Sequence, residues 1–400
     1  MNDLSLRVGA NVTLAAQPAE AYALTEHHNI QTIKDVVVKV IQEIVADSER
    51  RIQNCKKDLS LLSNGCFYPN GYSEILKENG LDDRLKALLD KGNLFHGYAA
   101  STHFKMKEDH KSITGIKVNL QVLKEGVTPS EGLKAIREGL SLIRSGEACQ
   151  IAYYEAIRSR LGDDKFNELF AAPTVEGVRS RLGDDKFNEL FLATSATPLN
   201  IEAIRSRLGD EKLNELFPTP LSIQWDSVDN PLVPFFILSC HIEFSKGDVF
   251  NLQNIPYYKS KHVNGECGEF NVICTDNTKG HETFTTLGLK SKGSTGREIQ
   301  DQLFHEFNKK PITIFSILPK ETIRPFLDSY GRERWRSIKK LEDLQFGREE
   351  FLRILRENGG CVALKQEFNA GRVEELAALS IPAAITKFAS WNIKKWIWIV

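Results

Sequence analysis

The chain has 400 residues, enough for two or three domains of about 150 residues and for a sizeable buried core. Fifty-two Lys and Arg against fifty-three Asp and Glu give a formal net charge of -1, which excludes a bulk electrostatic drive toward nucleic acid or an anionic bilayer. With 41% hydrophobic and 26% charged residues, and no apolar run of bilayer-spanning length, the sequence reads as an ordinary globular protein with no membrane span.

Residues 1–23 lack a basic start followed by a continuous apolar stretch, which reads against a secretory leader. From Gln31 to Leu62, Ile33, Val36, Val37, Val40, Ile41 and Ile44 recur at spacings of three and four, predicting a long helix with one apolar stripe. The loop composition of Asn64 to Gly71 places a boundary near residue 65, so residues 1–65 read as an N-terminal helical segment. Short β-prone runs between Gly97 and Val122 open a second unit, residues 66–300.

A 16-residue block then appears three times, as EAIRSRLGDDKFNELF (155–170), EGVRSRLGDDKFNELF (176–191) and EAIRSRLGDEKLNELF (202–217). The unequal spacers point to tandem duplication, with one copy in the parent fold and two inserted. In each copy a glycine (Gly162, Gly183, Gly209) is expected to close one helix in a left-handed cap. The next residue (Asp163, Asp184, Asp210) is expected to cap the following helix. The copies are expected to stack as small helical hairpins.

After the repeats the period changes. Pro231–Phe244, Asp248–Asn254, Glu269–Thr275 and Thr283–Leu289 are β-branched or aromatic runs between turn residues, which predicts an antiparallel sheet. Helix patterns return at Arg297, and residues 301–400 read as a C-terminal helical region that includes the amphipathic stretch Phe346–Asn369. The basic cluster Arg332–Lys340 reads as a solvated helix face rather than a nucleic-acid site. Trp391, Trp396 and Trp398 beside Lys394 and Lys395 offer either a cap on the C-terminal helices or a contact with a membrane interface.

Seven cysteines, an odd number without Cys-x-x-Cys pairs or zinc-like spacing, argue against a disulfide framework and against a metal site, and for a reducing, cytoplasmic compartment. A helix followed by an antiparallel sheet is an order that suits Cys–His chemistry. A helix N-terminus favours a thiolate, and a facing strand presents the proton-handling groups. Cys149 near the start of the helix from Glu147, with Glu266, Glu269 and His281 on later strands, supplies such a set. Cys149 also belongs to an apolar stripe with Ala152, Tyr153 and Ala156, the pattern of a core cysteine.

The segments GVTPSEGLKAI (126–136), EACQIAYYEAIRSRLGDDKFNELF (147–170), SKGDVFNLQNIPYY (245–258), GECGEFNVIC (265–274) and LGLKSKGSTGREI (287–299) together resemble the spore-coat protein-glutamine gamma-glutamyltransferases of sporulating bacteria. The resemblance covers roughly residues 120–300 with two inserted repeats. It implies an α+β fold in which a papain-like helix packs on an antiparallel sheet, with helical N- and C-terminal extensions and the helical repeat insertion. It further implies a cofactor-free transglutaminase: Cys149 attacks a glutamine carboxamide of a protein substrate, ammonia leaves, and a lysine amine resolves the thioester, with Glu269 and His281 handling protons. An ungapped match shifts the site to Ser145 and Thr285, with Glu266 as the other candidate acid. In that register the chain is an inactive relative acting as an interaction scaffold. A cysteine amidase or peptidase, with water in place of the amine, is the third reading.

Overall fold

The computed structural model describes residues 24–57, 66–67, 103–111, 117–138, 141–143, 145–191, 199–223, 225, 230–239, 243–261, 268–309 and 344–393. Helix α1 (Leu24–Lys57) carries the expected stripe, with Ile33, Val37, Ile41 and Ile44 buried. The short β1 (Cys66–Phe67) pairs in parallel with β4 (Ser141–Leu142), while β2 (Phe104–Lys111) and β3 (Lys117–Leu123) form an antiparallel pair. Between β3 and β4 lies α2 (Pro129–Glu138), with proline at its first position, where the missing N–H leaves no helical bond unmade. Helix α3 (Ser145–Leu161) is buried from Ser145 through Ile157.

The repeats follow as α4 (Asp163–Leu169), α5 (Val175–Leu182), α6 (Asp184–Phe191) and α7 (Ile201–Leu216). Next come β5 (Ser222–Ile223), which joins β3, then β6 (Phe236–Ser239), β7 (Val249–Gln253) and the single turn α8 (Tyr258–Lys261). They lead to β8 (Glu269–Asp276), β9 (Thr283–Thr285), β10 (Ser294–Thr295) and α9 (Gly296–Asn308). The chain continues through α10 (Arg348–Glu357), β11 (Val362–Phe368), α11 (Ala370–Ala378) and α12 (Ile381–Ile393).

The principal sheet has six strands in the order β10-β9-β8-β7-β11-β6, and every neighbouring pair is antiparallel. Its strands feed two cores. Ile273 and Phe368 join a core with α1, α3, α11 and α12, whereas Phe250, Phe270, Val272, Cys274 and Phe284 join a core with α9 and α10. On β8 the alternation of Phe270, Val272 and Cys274 against Ile273 is the period-two signature of a strand buried on both faces. The architecture is α+β, with the sheet between two helical layers.

Two expectations change. The C-terminal region is not wholly helical: Gly359 and Gly360, both at positive φ, stop α10, and the following Val362–Phe368 enters the sheet between β7 and β6. The principal unit therefore draws a strand from beyond residue 300. The N-terminal helix is likewise no separate layer, because α1 shares one core with α3.

The corner Gly247-Asp248 joins these layers. Asp248 is fully buried; its Oδ1 accepts from Lys34 Nζ of α1 at 3.0 Å and from the Phe368 backbone N–H at 3.2 Å. Lys365 Nζ of β11 lies 3.2 Å from the other oxygen, an electrostatic contact without hydrogen-bond alignment. Gly247 sits at φ 80°, and a Cβ there would come within 2.9 Å of Lys34 Cβ. Gly247→Ala should therefore destabilise the fold by about 2 kcal/mol through combined backbone strain and overlap. Urea unfolding with no change in midpoint would disprove that account.

The three repeat copies share one backbone. Gly162, Gly183 and Gly209 have φ/ψ of 78/158, 83/151 and 78/156. That is the glycine-only extended region at positive φ rather than the left-handed helical cap expected. The glycine itself also takes the N-cap position of α4, so Asp163 does not cap; it sits in the first turn and pairs with Arg158 at 2.9 Å. Copy one belongs to the main core, where the Phe166 and Phe170 rings pack edge-on to Tyr154. Copies two and three build a core of their own from Val178, Phe187, Phe191, Ile204, Leu213 and Phe217.

One departure between the copies falls at that joint. Gly177 replaces the alanine of the other copies, and a Cβ there would meet the Phe217 ring at 3.1 Å. Arginines tie each copy to the one before it. Arg181 donates to the Glu168 carbonyl at 2.6 Å, and Arg207 donates to the Leu190 and Phe191 carbonyls at 3.2 and 3.3 Å. Arg181 also lies over the Phe217 ring at 4.0 Å and donates to the Leu216 carbonyl. The ends of the insertion meet, since Leu221 N–H donates to the Phe170 carbonyl at 2.9 Å. Excising residues 171–217 should leave a protein that unfolds in one cooperative calorimetric transition, with Tm lowered by a few degrees as the α7–α12 packing is lost. A broad or absent transition would show that the insertion has become part of the core.

Candidate functional site

The N-terminal turn of α3 faces β8, and the reason lies in strand lengths. β9 pairs only with residues 273–276 of β8, so the edge of β8 beside Asn271 is left for another partner. Two side chains one helical turn apart on α3 take it. Ser145 Oγ accepts the Asn271 backbone N–H at 3.1 Å, and Cys149 Sγ donates to the Asn271 carbonyl at 3.8 Å. Both nucleophile registers raised by the sequence thus fall on one strand residue, and both hold helix to sheet.

The surroundings are closed. Cys149 is fully buried, and a Cβ on Gly146 would come within 2.7 Å of Trp225 Cβ and 3.1 Å of Asn271 Nδ2. The indole therefore lies directly on the helix start. Burial pushes the Cys149 thiol well above the usual cysteine range, and the buried Glu147 adds to that, while the adjacent Thr286 hydroxyl opposes it. Helix-dipole assistance to a thiolate is thereby outweighed by desolvation.

The proton-handling candidates are placed apart. Glu269 is exposed at the first position of β8, where its Oε1 accepts from Asn251 Nδ2 at 3.3 Å. His281 is exposed in the turn after the other end of β8, and its backbone N–H donates to the Thr278 carbonyl at 2.8 Å. From Glu269 to Asp276 the strand runs about 23 Å at 3.3 Å per residue. The structure does not bring Cys149, Glu269 and His281 together. Thr285, the ungapped alternative, is fully buried, pairs with Ile273 and donates its hydroxyl to the Lys290 carbonyl at 2.8 Å. Glu266, the basic cluster 332–340 and the tryptophans Trp396 and Trp398 lie outside the described residues. Trp391 caps: its ring packs edge-on to Phe235 and Phe388, with Arg372 over it at 5.2 Å.

Sequence reasoning missed two features of this region. Asn271 and Trp225 carry no motif; the one signal was Gly146, a helix-start glycine that a close neighbour would require. A groove of about 990 Å³ opens elsewhere, between α1, α2 and α3, but its charges answer one another. Arg137 pairs with Glu43 at 3.2 Å, and Arg158 pairs with the buried Glu155 at 2.8 Å. Among the described residues no cluster of His, Cys, Asp and Glu could hold a metal ion, and no helix is long and apolar enough to cross a membrane. Comparison with protein-family models, with curated proteins and with solved structures finds no match.

Two expectations follow from the buried thiol. In the native protein Cys149 should react with a small disulfide reagent at least 100-fold more slowly than after unfolding, because the protected thiol must first be exposed. Stability should also fall as pH rises above about 9. The unfolded state releases its thiol and phenol protons there, while burial keeps Cys149, Tyr153 and Tyr154 protonated and holds Cys274 up to about 12. Urea midpoints at pH 8 and pH 10.5 measure this, and an unchanged midpoint would show that these groups ionise as readily in the fold as outside it.

Proposed function

We propose that this chain is a non-catalytic interaction scaffold. In this reading a papain-like α+β core, similar in segment order to the protein-glutamine gamma-glutamyltransferases, has given its nucleophile positions to structural duty. The observation that carries the reading is Cys149, fully buried with its thiol donating to the Asn271 carbonyl and held protonated by desolvation. A nucleophile needs an accessible thiolate and a base within reach, and His281 is exposed beyond the far end of the strand.

The ungapped register supports the same conclusion. Glu269 and Ile273 share a face of β8, and Thr285 is the residue paired with Ile273. Ser145, Glu269 and Thr285 thus belong to the side of the sheet that meets α3. A serine with threonine in the histidine's place has no imidazole to take its proton. The partners in this reading are proteins, met through the repeat insertion, in the reducing cytoplasm that the cysteine usage suggests.

The decisive assay is incorporation of a fluorescent primary amine into a glutamine-rich acceptor protein, run beside ammonia release from a glutamine peptide. Wild type and Cys149→Ala should both stay at the level of the protein-free blank. Incorporation that Cys149→Ala abolishes would restore the crosslinking enzyme, and ammonia release without incorporation would restore the amidase.

A further inference from the structure

The three copies allow one block of sequence to be compared in three surroundings. In copy one the lysine and leucine, one turn apart on the same side of the helix, and the asparagine on the opposite flank are all engaged. Lys165 Nζ donates to three carbonyls at the C-terminal end of α11, those of Leu376, Ala377 and Leu379, at 3.2, 2.8 and 2.6 Å. Asn167 Oδ1 accepts the Ser130 N–H in the first turn of α2 at 2.8 Å. Leu169 is 1% exposed in the main core, on the helix that packs against α12. The lysine thus binds the end of one helix and the asparagine the start of a second, while the leucine is buried on a helix that packs against a third.

Copy two repeats these residues as Lys186, Asn188 and Leu190, on a helix of the same length scale whose inward phenylalanines are equally buried. Its outward face differs. Among the described residues, Lys186 and Asn188 are exposed and make no side-chain bond, and Leu190, 38% exposed, is one of the few large apolar side chains at the surface. Copy three has spent part of its own face: Lys212 pairs with Glu215, and Leu216 packs against the local core.

We propose that the outward face of α6 in copy two is a docking surface for an α-helical segment of another protein. That segment presents a helix C-terminus with free carbonyls to Lys186 and an apolar side to Leu190, as α11 and α12 do for copy one. The lysine charge complements the negative end of the helix dipole and the unsatisfied carbonyls, a match copy one displays in full. The proposal rests on the scaffold reading and gives it a partner class.

The test uses the full-length protein and a labelled synthetic peptide of residues 370–393, which carries α11 and α12. Saturable binding by fluorescence anisotropy is expected, weakened at least tenfold by Lys186→Glu and by Leu190→Asp. Lys212→Glu should leave it unchanged, with all three variants keeping the wild-type Tm. Binding that survives both copy-two substitutions would mean that the peptide displaces its own counterpart from copy one, and the proposal fails. Absence of saturation up to about 1 mM, where the free energy is only about 4 kcal/mol, overturns it as well. Concentration-dependent self-association abolished by Lys186→Glu would replace the foreign partner with a second copy of the chain. The peptide result is read separately from amine incorporation, so failure of the docking surface and failure of the scaffold reading are told apart.

Discussion

One buried carboxylate holds the layers of this protein in place. Asp248 has no solvent to stabilise its charge, so Lys34 from α1, Lys365 from β11 and the Phe368 N–H must do it together. Its neighbour Gly247 accepts the Tyr153 hydroxyl of α3 at 2.7 Å and donates to the Cys274 carbonyl at 2.8 Å, which brings the central helix and β8 to the same corner. Removing one member of such a cluster strands the others in low dielectric, at a typical cost of about 3–5 kcal/mol. The helix before the repeats, the sheet after them and the strand near the C-terminal end thus have one electrostatic point of agreement. That explains why segments hundreds of residues apart belong to one core.

The meeting of α3 with β8 shows how side chains at a helix start become committed to holding a strand edge. A helix start laid against a strand edge is a place where backbone groups are available, and whichever side chain arrives first can satisfy them. Here Ser145 and Cys149 satisfy the strand, one accepting and one donating, both are buried, and Trp225 lies against Gly146 between them. An enzyme requires the opposite: a sulfur left unengaged, an entrance for substrate and a base in contact. Ionising the thiol here would break its bond to Asn271 and place a charge against Glu147 in a dry interior.

Much of the fold was legible because period and punctuation are local. The three-and-four spacing of Ile33, Val37 and Ile41 gave α1, and β-branched runs between turn residues located β7 and β8 close to their observed bounds, while β9 begins at the expected Thr283 but stops at Thr285, short of the expected Leu289. The stretch after α10 was misread because charged Lys365 and Glu367 dilute the strand pattern. Only the structure reveals that Lys365 is buried against Asp248 from a distant turn. The resemblance singled out α3 and β8. Which residue of each would matter depended on which end of β8 its neighbours occupy, a long-range fact that spacing cannot carry. Asn271 and Trp225 were invisible for the same reason.

The bond from Leu221 N–H to the Phe170 carbonyl has a consequence for the history of the gene. Near-identical coding blocks in tandem invite unequal exchange, which adds or removes whole units at each event. Most proteins would not survive such length changes inside a core. Here the two chain ends of the inserted segment already touch, so each recombinant returns the polypeptide to the same doorway whatever its number of units. Populations of this gene should therefore vary in copy number at this position, with the main core preserved.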